Sequence, residues 1–276
     1  MCLLQPNRIL TILQRACESP ICYGGSVERD IRKAVLLAAG RGVRLGALTD
    51  HLPKPMLEVA GQPLIGHIVG ALAASQVRDI AIVTGYLASH IDEWCALFMR
   101  THPDLHLMTL HQAELNGTAG AMLLGRDFVK GEAALIFGWG DILMDHENYT
   151  RFIQAARSQS YDLMLSINRV RDPWRGGAVY VDRDMRVERL VEKPARGTST
   201  TQWNNAGLFA ASPLIFEYLE KVQPSLRGEL ELPEAISMMI ANGREVRAVD
   251  VRGFWSDVGT PEDLESARKL FKPHEQ

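Results

Sequence analysis

The sequence predicts an α/β protein, in which helices cover both faces of a mostly parallel sheet to give three layers. Over the first 160 residues, short continuous apolar runs alternate with segments of helical periodicity, which is typical of strands buried between two helical layers. After residue 160 the segments are shorter and richer in strand-forming residues, which predicts a small β-rich lobe inserted into or appended to the sheet. The composition, 46% apolar and 23% charged over 276 residues, is typical of a globular protein.

The first half of the chain predicts four strands and three helices. The run from Ala34 to Ala38 is the first strand, and Gly40 follows it. The first helix begins at Pro63, because proline is favoured at the first helical position. The remaining elements are strands at 79–84, 105–110 and 133–137 and helices at 88–99 and 118–128. Since strands that alternate with helices are joined by right-handed crossovers, these strands should be parallel.

The second half predicts a strand-rich segment followed by helices. Its strands are expected at 163–167, 178–181, 187–191, 207–211 and 246–251, and its helices at 213–222, 232–241 and 261–270. Residues 1–32 contain one short apolar-periodic stretch followed by Ser-Pro and Gly-Gly breakers. We therefore predict an N-terminal extension at 1–32 and one main domain at 33–270.

Composition excludes several classes of function. Thirty Lys and Arg against 33 Asp and Glu give a net charge of −3, which argues against nucleic-acid binding because such proteins usually carry a basic excess. No apolar run approaches the ~20 residues of a membrane helix, and polar residues interrupt the first 16, so we expect a cytoplasmic protein without a membrane partner. Cys2, Cys17, Cys22 and Cys95 lack a C-x-x-C pair and predict reduced, mostly packed thiols. A homo-oligomer stays possible.

The loop after the first strand carries the first chemical signal. It runs Leu37-Ala-Ala-Gly40-Arg41-Gly42-Val43-Arg44-Leu45, and Pro53-Lys54-Pro55 follows it. Glycines behind a buried strand allow backbone N–H groups to approach an anion, and Arg44 and Lys54 add positive charge. The loop is neither a dinucleotide fingerprint, since Arg44 and Leu45 fill the span of the third glycine, nor a P-loop, since no Gly-Lys-Ser/Thr follows. A glycine-rich turn with solvated cations is the alternative explanation.

This loop resembles the signature of the sugar-1-phosphate nucleotidyltransferases, L-A-G/A-G-x-G-T-R-L followed by P-K-P. The chain departs from it at Val43, where the family usually has Thr or Ser. The resemblance implies a three-layer Rossmann-like fold with a small β-rich sugar-binding lobe. It also implies a nucleotide-binding part at about 33–160 and a sugar-binding part at about 161–250.

Six further elements resemble the family in the expected order. They are Gln112-x4-Gly117-Thr118, Gly140-Asp141, Trp174-Arg-Gly-Gly177, Glu192-Lys193-Pro194, Asn205-Ala-Gly207 and Trp255-Ser-Asp257. Each one has an ordinary structural explanation when taken alone: Asp141 could cap a turn, Asp257 could cap a helix, and Glu192 with Lys193 could be a surface ion pair. Their order along the chain is what favours the functional interpretation.

The resemblance implies a role for each matching residue. Arg44 and Lys54 would be the catalytic cations. The nucleotide would be bound by Leu37, Ala38, Ala39, Gly40, Gly42, Arg44, Gln112, Gly117 and Thr118, and the sugar phosphate by Gly177, Glu192, Lys193 and Asn205. Asp141 and Asp257 would hold Mg²⁺, which prefers hard carboxylate ligands.

The implied reaction joins a nucleoside triphosphate to a sugar 1-phosphate and releases pyrophosphate. The nucleophile is a phosphate whose second pKa is near ~6, so it is largely dianionic at pH 7 and needs no general base. Positioning and cationic stabilisation should therefore supply the acceleration. Arg44 would hold the pyrophosphate, Lys54 the α-phosphate and Lys193 the incoming sugar phosphate.

The nucleobase is predicted from Gln112, which precedes Gly117 by five residues. Its amide could accept the N3–H of uracil or thymine and donate to a ring carbonyl, which favours UTP or dTTP. GTP is the competitor, because Gly117 to Ala121 also resembles guanylyl-transferring relatives such as mannose- or heptose-1-phosphate guanylyltransferases, and CTP is a further alternative. A catalytically silent nucleotide-sugar-binding regulator and a cytidylyltransferase for a non-sugar phosphate are the rival functions.

Overall fold

The computed structural model describes residues 28–272, whose centre is a nine-stranded sheet. The strands are β1 (Lys33–Leu37), β2 (Glu58–Val59), β3 (Gln62–Pro63), β4 (Asp79–Thr84), β5 (His106–His111), β6 (Leu135–Trp139), β7 (Ile142–Met144), β8 (Leu163–Arg169), β9 (Gly177–Val181), β10 (Val187–Glu192), β11 (Trp203–Ala211), β12 (Val246–Asp250) and β13 (Trp255–Asp257). The helices are α1 (Leu64–Ala74), α2 (Ala88–Thr101), α3 (Thr118–Leu123), α4 (His146–Ser158), α5 (Ile215–Leu219), α6 (Leu232–Ala241) and α7 (Pro261–Leu270).

The central strands are parallel and lie in the order β6-β1-β4-β5. From β1 the chain passes through α1 to β4 on one side, whereas β6 is added on the other side, so the strand order reverses at β1. In open α/β sheets, ligands bind beyond the carboxyl ends of the strands at such a reversal. Here those ends are Leu37 and Trp139, which are neighbours in the register of β1 and β6. The fold therefore places the glycine-rich loop at the position where a ligand is expected.

The second half of the chain extends the same sheet. Strand β11 pairs antiparallel with β6, β8 and β9, while β12 pairs parallel with β8 and β10 pairs antiparallel with β9. The predicted β-rich lobe is thus appended to the sheet. The register of β11 on β8 shifts between Asn205 and Phe209, and Gly207 has a φ of +91° there. A side chain at Gly207 would place its Cβ 2.5 Å from the Trp139 ring, so glycine allows the close approach.

Apolar side chains pack against both faces of the sheet. On one face Phe137 stacks on Phe209 at 4.8 Å between ring centroids, and both are fully buried. The other face packs Ile65 of α1 and Phe152 of α4, both almost completely buried, against the strands. Two helical layers around a sheet confirm the three-layer prediction. Within residues 28–272 no helix combines the length and apolar character needed to cross a membrane.

Most predicted elements are present with small shifts in their bounds. The strand at 79–84 and the helices at 232–241 and 261–270 match residue for residue. Helix α1 begins after Pro63 instead of at it, and α5 is limited to five residues. Helix α3 ends at Leu123 and not at 128, and Gly125 just beyond it packs so close to β1 that an added Cβ would lie 2.8 Å from the Val35 side chain.

Helix α4 and the short pair β7–β13 have no counterpart in the prediction. The signal for α4 was present, since Tyr149, Phe152, Ile153 and Ala156 are buried at helical spacing. It was masked by the polar residues around them. Strands β7 and β13 pair antiparallel over three residues each, and so short a pairing leaves no alternation to detect.

The packed chain begins earlier than the predicted boundary at Lys33. Ile31 is completely buried, and its carbonyl accepts a hydrogen bond from Arg157 at 3.0 Å. The backbone N–H of Arg29 donates to the carbonyl of Arg157 at 2.9 Å, and its guanidinium lies 4.1 Å from the Tyr161 ring centroid. Arg29 and Ile31, which precede the predicted boundary, therefore pack against the main fold, and the boundary at residue 33 stays a prediction. The rest of the predicted extension, with Cys2, Cys17 and Cys22, lies outside the described residues, whereas Cys95 is buried as expected.

Candidate active site

The loop after β1 wraps around a cavity of about 250 Å³. Gly42 adopts the left-handed conformation at φ +67° and accepts a hydrogen bond from the N–H of Leu45. A Cβ at Gly42 would lie 3.1 Å from the Cβ of Lys54, so the loop and the Pro-Lys-Pro segment meet only because this residue is glycine. The cavity is lined by Leu37, Ala38, Gly40, Gly42, Val43, Arg44, Lys54, Pro55 and Asp141. Six of the predicted phosphate-site residues and the predicted metal ligand Asp141 therefore surround one space.

Lys54 is the buried cation of this cavity. Its side chain is 8% exposed, and its ammonium lies 2.8 Å from Asp141 Oδ2 and 3.0 Å from Asp257 Oδ1. Burial alone would lower the pKa of Lys54, but the two carboxylates raise it above its usual value. The ammonium therefore stays charged at any pH where the protein works.

Arg44 is held much more loosely. Its side chain is 64% exposed, and its nearest carboxylate is Asp257 at 4.0 Å. The guanidinium lies against Gly259, where an added Cβ would be only 3.0 Å from one of its nitrogens. Because the planar guanidinium keeps most of its donors unpaired, it is available to a phosphate group. Val43, in place of the family's hydroxyl residue, is 72% exposed at the rim of the cavity.

Asp141 and Asp257 are brought together by β7 and β13, which pair Asp257 with Ile142 directly after Asp141. Both carboxylates contact the same ammonium, so they face one point of the cavity. This donor set fits Mg²⁺, which usually takes one or two protein carboxylates and completes its shell with water and substrate phosphates. Among residues 28–272 no group of three or more His, Cys, Asp and Glu side chains could hold a metal.

Gln112 lies at the carboxyl end of β5 and is 7% exposed. Its backbone N–H donates to Thr84 at 2.7 Å. Its side-chain nitrogen donates to Asn116 Oδ1 at 3.0 Å and to the carbonyl of Gly117 at 3.1 Å. The expectation that this nitrogen donates to a base carbonyl is therefore wrong for the arrangement observed, since both its protons are already bonded. The amide oxygen, Oε1, is the atom left for a base.

The loop from 112 to 118 is fixed by a segment from the second half of the chain. Leu230 donates its N–H to the carbonyl of Asn116 at 2.7 Å and accepts from the N–H of Ala119 at 2.9 Å. Gly117 faces it with φ +110°, and a Cβ there would lie 2.4 Å from the Leu230 oxygen. The hydroxyl oxygen of Thr118, predicted to bind nucleotide, accepts the N–H of Leu232 at 2.9 Å, so Thr118 helps to cap α6.

The predicted sugar-binding residues converge on Gly177. Strands β9 and β10 pair Gly177 with Glu192. A Cβ on Gly177 would lie 3.1 Å from Glu192 Oε2 and 3.5 Å from the Cβ of Asn205, so the absent side chain leaves space between them. Burial raises the pKa of the Glu192 carboxyl, and neighbouring Glu231 adds to this rise, although Lys193 opposes it. A half-buried carboxylate beside an open glycine suits hydrogen bonding to a neutral hydroxyl.

Lys193 follows with an unusual backbone, at φ +43°, and its N–H donates to the carbonyl of Gly176 at 3.0 Å. Its ammonium is half exposed and lies 3.7 Å from Glu192 Oε1. Sequence reasoning missed the neighbouring pair Arg227 and Glu231, which are joined at 2.9 Å and lie close enough to influence the pKa of Glu192. Their spacing of four residues was the only available signal, and it is equally common in surface ion pairs.

A hydrogen bond links the strand that carries Asp257 to the strand that carries Asn205. The indole N–H of Trp255, on the strand that carries Asp257, donates to the carbonyl of Ala206 at 2.9 Å. Ala206 directly follows Asn205, whose Oδ1 accepts the N–H of Gly207. The predicted metal ligand Asp257 and the predicted sugar-side residue Asn205 are thus linked through one hydrogen bond between their strands.

These geometric features agree with a comparison of the whole chain with known protein families. The family model described as nucleotidyl transferase matches residues 33–272. The chain belongs to the nucleotidyl transferase family. The resemblance seen in the loop sequence is thereby confirmed, and it extends over both halves of the structure.

Curated relatives and solved structures agree with this assignment. The bifunctional protein GlmU of Methanococcus maripaludis is 31% identical over 238 residues, which cover 86% of this chain and 54% of the relative. The chain thus spans about half the length of the GlmU proteins that it matches. The UTP–glucose-1-phosphate uridylyltransferase AglF of Haloferax volcanii is 30% identical over 248 residues, covering 87% of this chain and 96% of AglF.

A solved structure of UDP-glucose pyrophosphorylase complexed with UDP-glucose has a TM-score of 0.75 to this chain at 20% identity. It covers 87% of this chain and 98% of the pyrophosphorylase. At this identity the similarity concerns the fold, and it confirms the Rossmann-like α/β class.

Proposed function

We propose that this protein transfers a nucleotidyl group from UTP or dTTP to a sugar 1-phosphate and releases pyrophosphate. The observation that carries the proposal is the buried Lys54 ammonium between Asp141 and Asp257, at the wall of a cavity enclosed by the glycine-rich loop. The cavity lies at the reversal of strand order, where α/β sheets bind nucleotides. The family supports a transfer of this class.

The chemistry requires that two highly charged anions meet. The phosphate oxygen of the sugar 1-phosphate attacks the α-phosphorus, the bond to the bridging oxygen breaks, and pyrophosphate leaves with the electron pair. No proton transfer is needed, because the attacking phosphate is already dianionic near pH 7. Lys54 would contact the α-phosphate, and because its ammonium is buried, water would screen this interaction little. Arg44 would neutralise the departing pyrophosphate from the exposed rim of the cavity.

Asp141 and Asp257 would hold Mg²⁺, and the ion would supply charge neutralisation on the phosphates when it is bound. The protein contributes the fixed spacing of the two carboxylates, because their strands β7 and β13 are paired. In the arrangement observed, Lys54 neutralises both carboxylates. A phosphate bound in the cavity would offer the Lys54 ammonium a second anionic partner beside these carboxylates.

Gln112 would select the base through its oxygen alone. The N3–H of uracil or thymine can donate to Oε1, whereas cytosine presents an acceptor at N3 and would leave two acceptors facing each other at a cost of ~1–3 kcal/mol. Guanine has a donor at N1 and meets the same requirement. GTP is therefore the competitor that the shape of the base site must exclude. AglF, whose name specifies UTP, supports the pyrimidine assignment.

The sugar 1-phosphate would lie over Gly177. Glu192 and Asn205 flank this glycine and would bind sugar hydroxyls, while the half-exposed ammonium of Lys193 would meet the sugar phosphate. The carboxylate would do so in its ionised form, since only then is it purely an acceptor.

The test is a matrix of UTP, dTTP, GTP and CTP against several sugar 1-phosphates, with phosphocholine as the non-sugar control and pyrophosphate release as the readout. We expect turnover with UTP or dTTP and a sugar 1-phosphate, and none with phosphocholine. Binding of a nucleotide-sugar without turnover of any pair would identify a silent regulator and overturn the proposal. Faster turnover with GTP or CTP than with UTP and dTTP would overturn the base assignment alone.

A further inference from the structure

The side-chain amide of Gln112 is held in one orientation by two acceptors. Its nitrogen donates to Asn116 Oδ1 at 3.0 Å and to the Gly117 carbonyl at 3.1 Å. Its oxygen has no hydrogen-bond partner among the described residues. A rotation by 180° about the last bond would bring Oε1 against both acceptors, so the amide presents only its oxygen to a ligand.

Asn116 is the side chain that completes this restraint. The Gly117 carbonyl belongs to the backbone and can occupy only one proton of the Gln112 amide. The second proton is bound by Asn116 Oδ1 and would otherwise be free to donate to a ligand. Asn116 therefore determines whether the amide can act as a donor as well as an acceptor.

The position of Asn116 is itself fixed from two sides. Its carbonyl accepts the N–H of Leu230, and its own N–H donates to the carbonyl of Glu114 at 2.8 Å. Its side chain lies directly on Gly120 of α3, where an added Cβ would be 2.0 Å from Oδ1 and 2.8 Å from Cγ. The side chain can take this position only because residue 120 is glycine.

We propose that Asn116, seated on Gly120, is a positioning residue that makes Gln112 an acceptor-only contact and thereby excludes bases without a ring N–H. This inference rests on the proposed function, in which Gln112 faces the nucleobase. Cytosine, whose N3 and O2 both accept, is the base that the restraint disfavours most. Release of one amide proton would let Gln112 donate to cytosine and would lower the selectivity.

The experiment compares kcat/KM for UTP and CTP, with one sugar 1-phosphate, in the wild-type protein and in three variants. Asn116→Ala removes the acceptor, and Gly120→Ala displaces it while leaving Asn116 in the chain. Both should lower the UTP-to-CTP ratio by ~5- to 10-fold, the scale of one hydrogen bond. Asn116→Asp keeps an oxygen acceptor and should retain the ratio. Because its added charge acts on both nucleotides equally, the ratio removes general effects on triphosphate binding.

A second measurement needs no turnover. In ¹⁵N-labelled protein without nucleotide, both side-chain amide protons of Gln112, assigned by comparison with Gln112→Leu, should exchange slowly with solvent. In Asn116→Ala one of them should exchange much faster, whereas Asn116→Asp should protect both. Thermal melting of each variant confirms that it is folded.

The two measurements separate the possible failures. If the wild-type protein turns over nucleotides but Asn116→Ala keeps the wild-type ratio within twofold, the inference is overturned while the proposed function stands. If no nucleotide is turned over, the proposed function fails, and unprotected Gln112 amide protons in the wild-type protein would overturn the restraint as well. A lower ratio in both alanine variants with retention in Asn116→Asp supports the inference.

Discussion

Replacement of Lys54 by methionine removes the ammonium from the cavity and preserves the apolar length of the side chain. The structure predicts that this change separates activity from stability. Lys54 is 8% exposed and contacts two carboxylates at 2.8 and 3.0 Å, so its ammonium is held at a fixed point between them. Loss of such a preorganised charge should lower kcat/KM by ~10²- to 10³-fold.

The free energy of unfolding should change much less. Asp141 and Asp257 keep 29% and 44% of their side-chain surface exposed, so water can solvate them once the ammonium is gone. Each partly exposed pair stabilises the fold by ~1 kcal/mol or less, and methionine avoids the desolvation of a buried ammonium. The two effects oppose each other, so we expect a net change within about 2 kcal/mol.

The same variant should bind Mg²⁺ better in the absence of nucleotide, because the ammonium no longer neutralises the two carboxylates. Pyrophosphate release measures the first effect, and thermal melting with and without Mg²⁺ measures the others. Lys33→Met is the matched control, since Lys33 also forms an ion pair, with Glu132 at 3.1 Å, at the opposite end of β1. Near wild-type turnover in Lys54→Met would refute the mechanism. An unchanged response of the melting temperature to Mg²⁺ would refute the shared site.

Three further predictions concern other parts of the molecule. Glu192→Gln should raise the KM for sugar 1-phosphate ~10-fold, measured from initial rates. It should also be at least as stable as wild type at pH 8 by thermal melting, because a raised pKa means that the ionised carboxylate destabilises the fold as the pH rises through that pKa. Gly259→Ala should displace the Arg44 guanidinium and lower kcat/KM ~5-fold, whereas an unchanged kcat/KM would contradict this contact. Removal of residues 1–32 should cost ~2 kcal/mol more in stability to urea than removal of residues 1–27, through loss of the buried Ile31; equal midpoints would disprove the contribution of Ile31 to the fold.

The glycine-rich loop and the position of Asp141 could be predicted because their signals are local. A buried apolar run followed by glycines fixes a strand and its loop, so Gly42 and Arg44 could be placed at the carboxyl end of β1. Asp141 was predicted in the same way, from the end of β6. Their roles came from order along the chain, and the cavity that contains all three agrees with it.

The contacts that could not be predicted are those made by the backbone over long distances. Leu230 binds Asn116 and Ala119 through its N–H and carbonyl, which every residue except proline possesses, so no side-chain pattern marks them. Thr118 caps a helix that begins more than a hundred residues later in the chain. Sequence patterns for helix capping link a residue only to positions about three residues away, so they do not detect this contact. The orientation of the Gln112 amide follows from these contacts and was beyond sequence reasoning for the same reason.

The contact at Leu230 also bears on how members of this family could be recombined. A chimera that joins residues 33–160 of this chain to the second half of a relative would exchange the partner of the loop at 112–118, although that loop itself would be retained. Both hydrogen bonds are made by the backbone N–H and carbonyl of residue 230, so a residue other than leucine could make them. The length of the connection between α5 and α6 therefore decides whether a chimera keeps a backbone at that position. A donor with a connection of different length would remodel the proposed base site along with the proposed sugar site. Crossover points for exchanging the proposed sugar site alone therefore belong between α4 and the start of β9, with return to this chain after β11 and before residue 225.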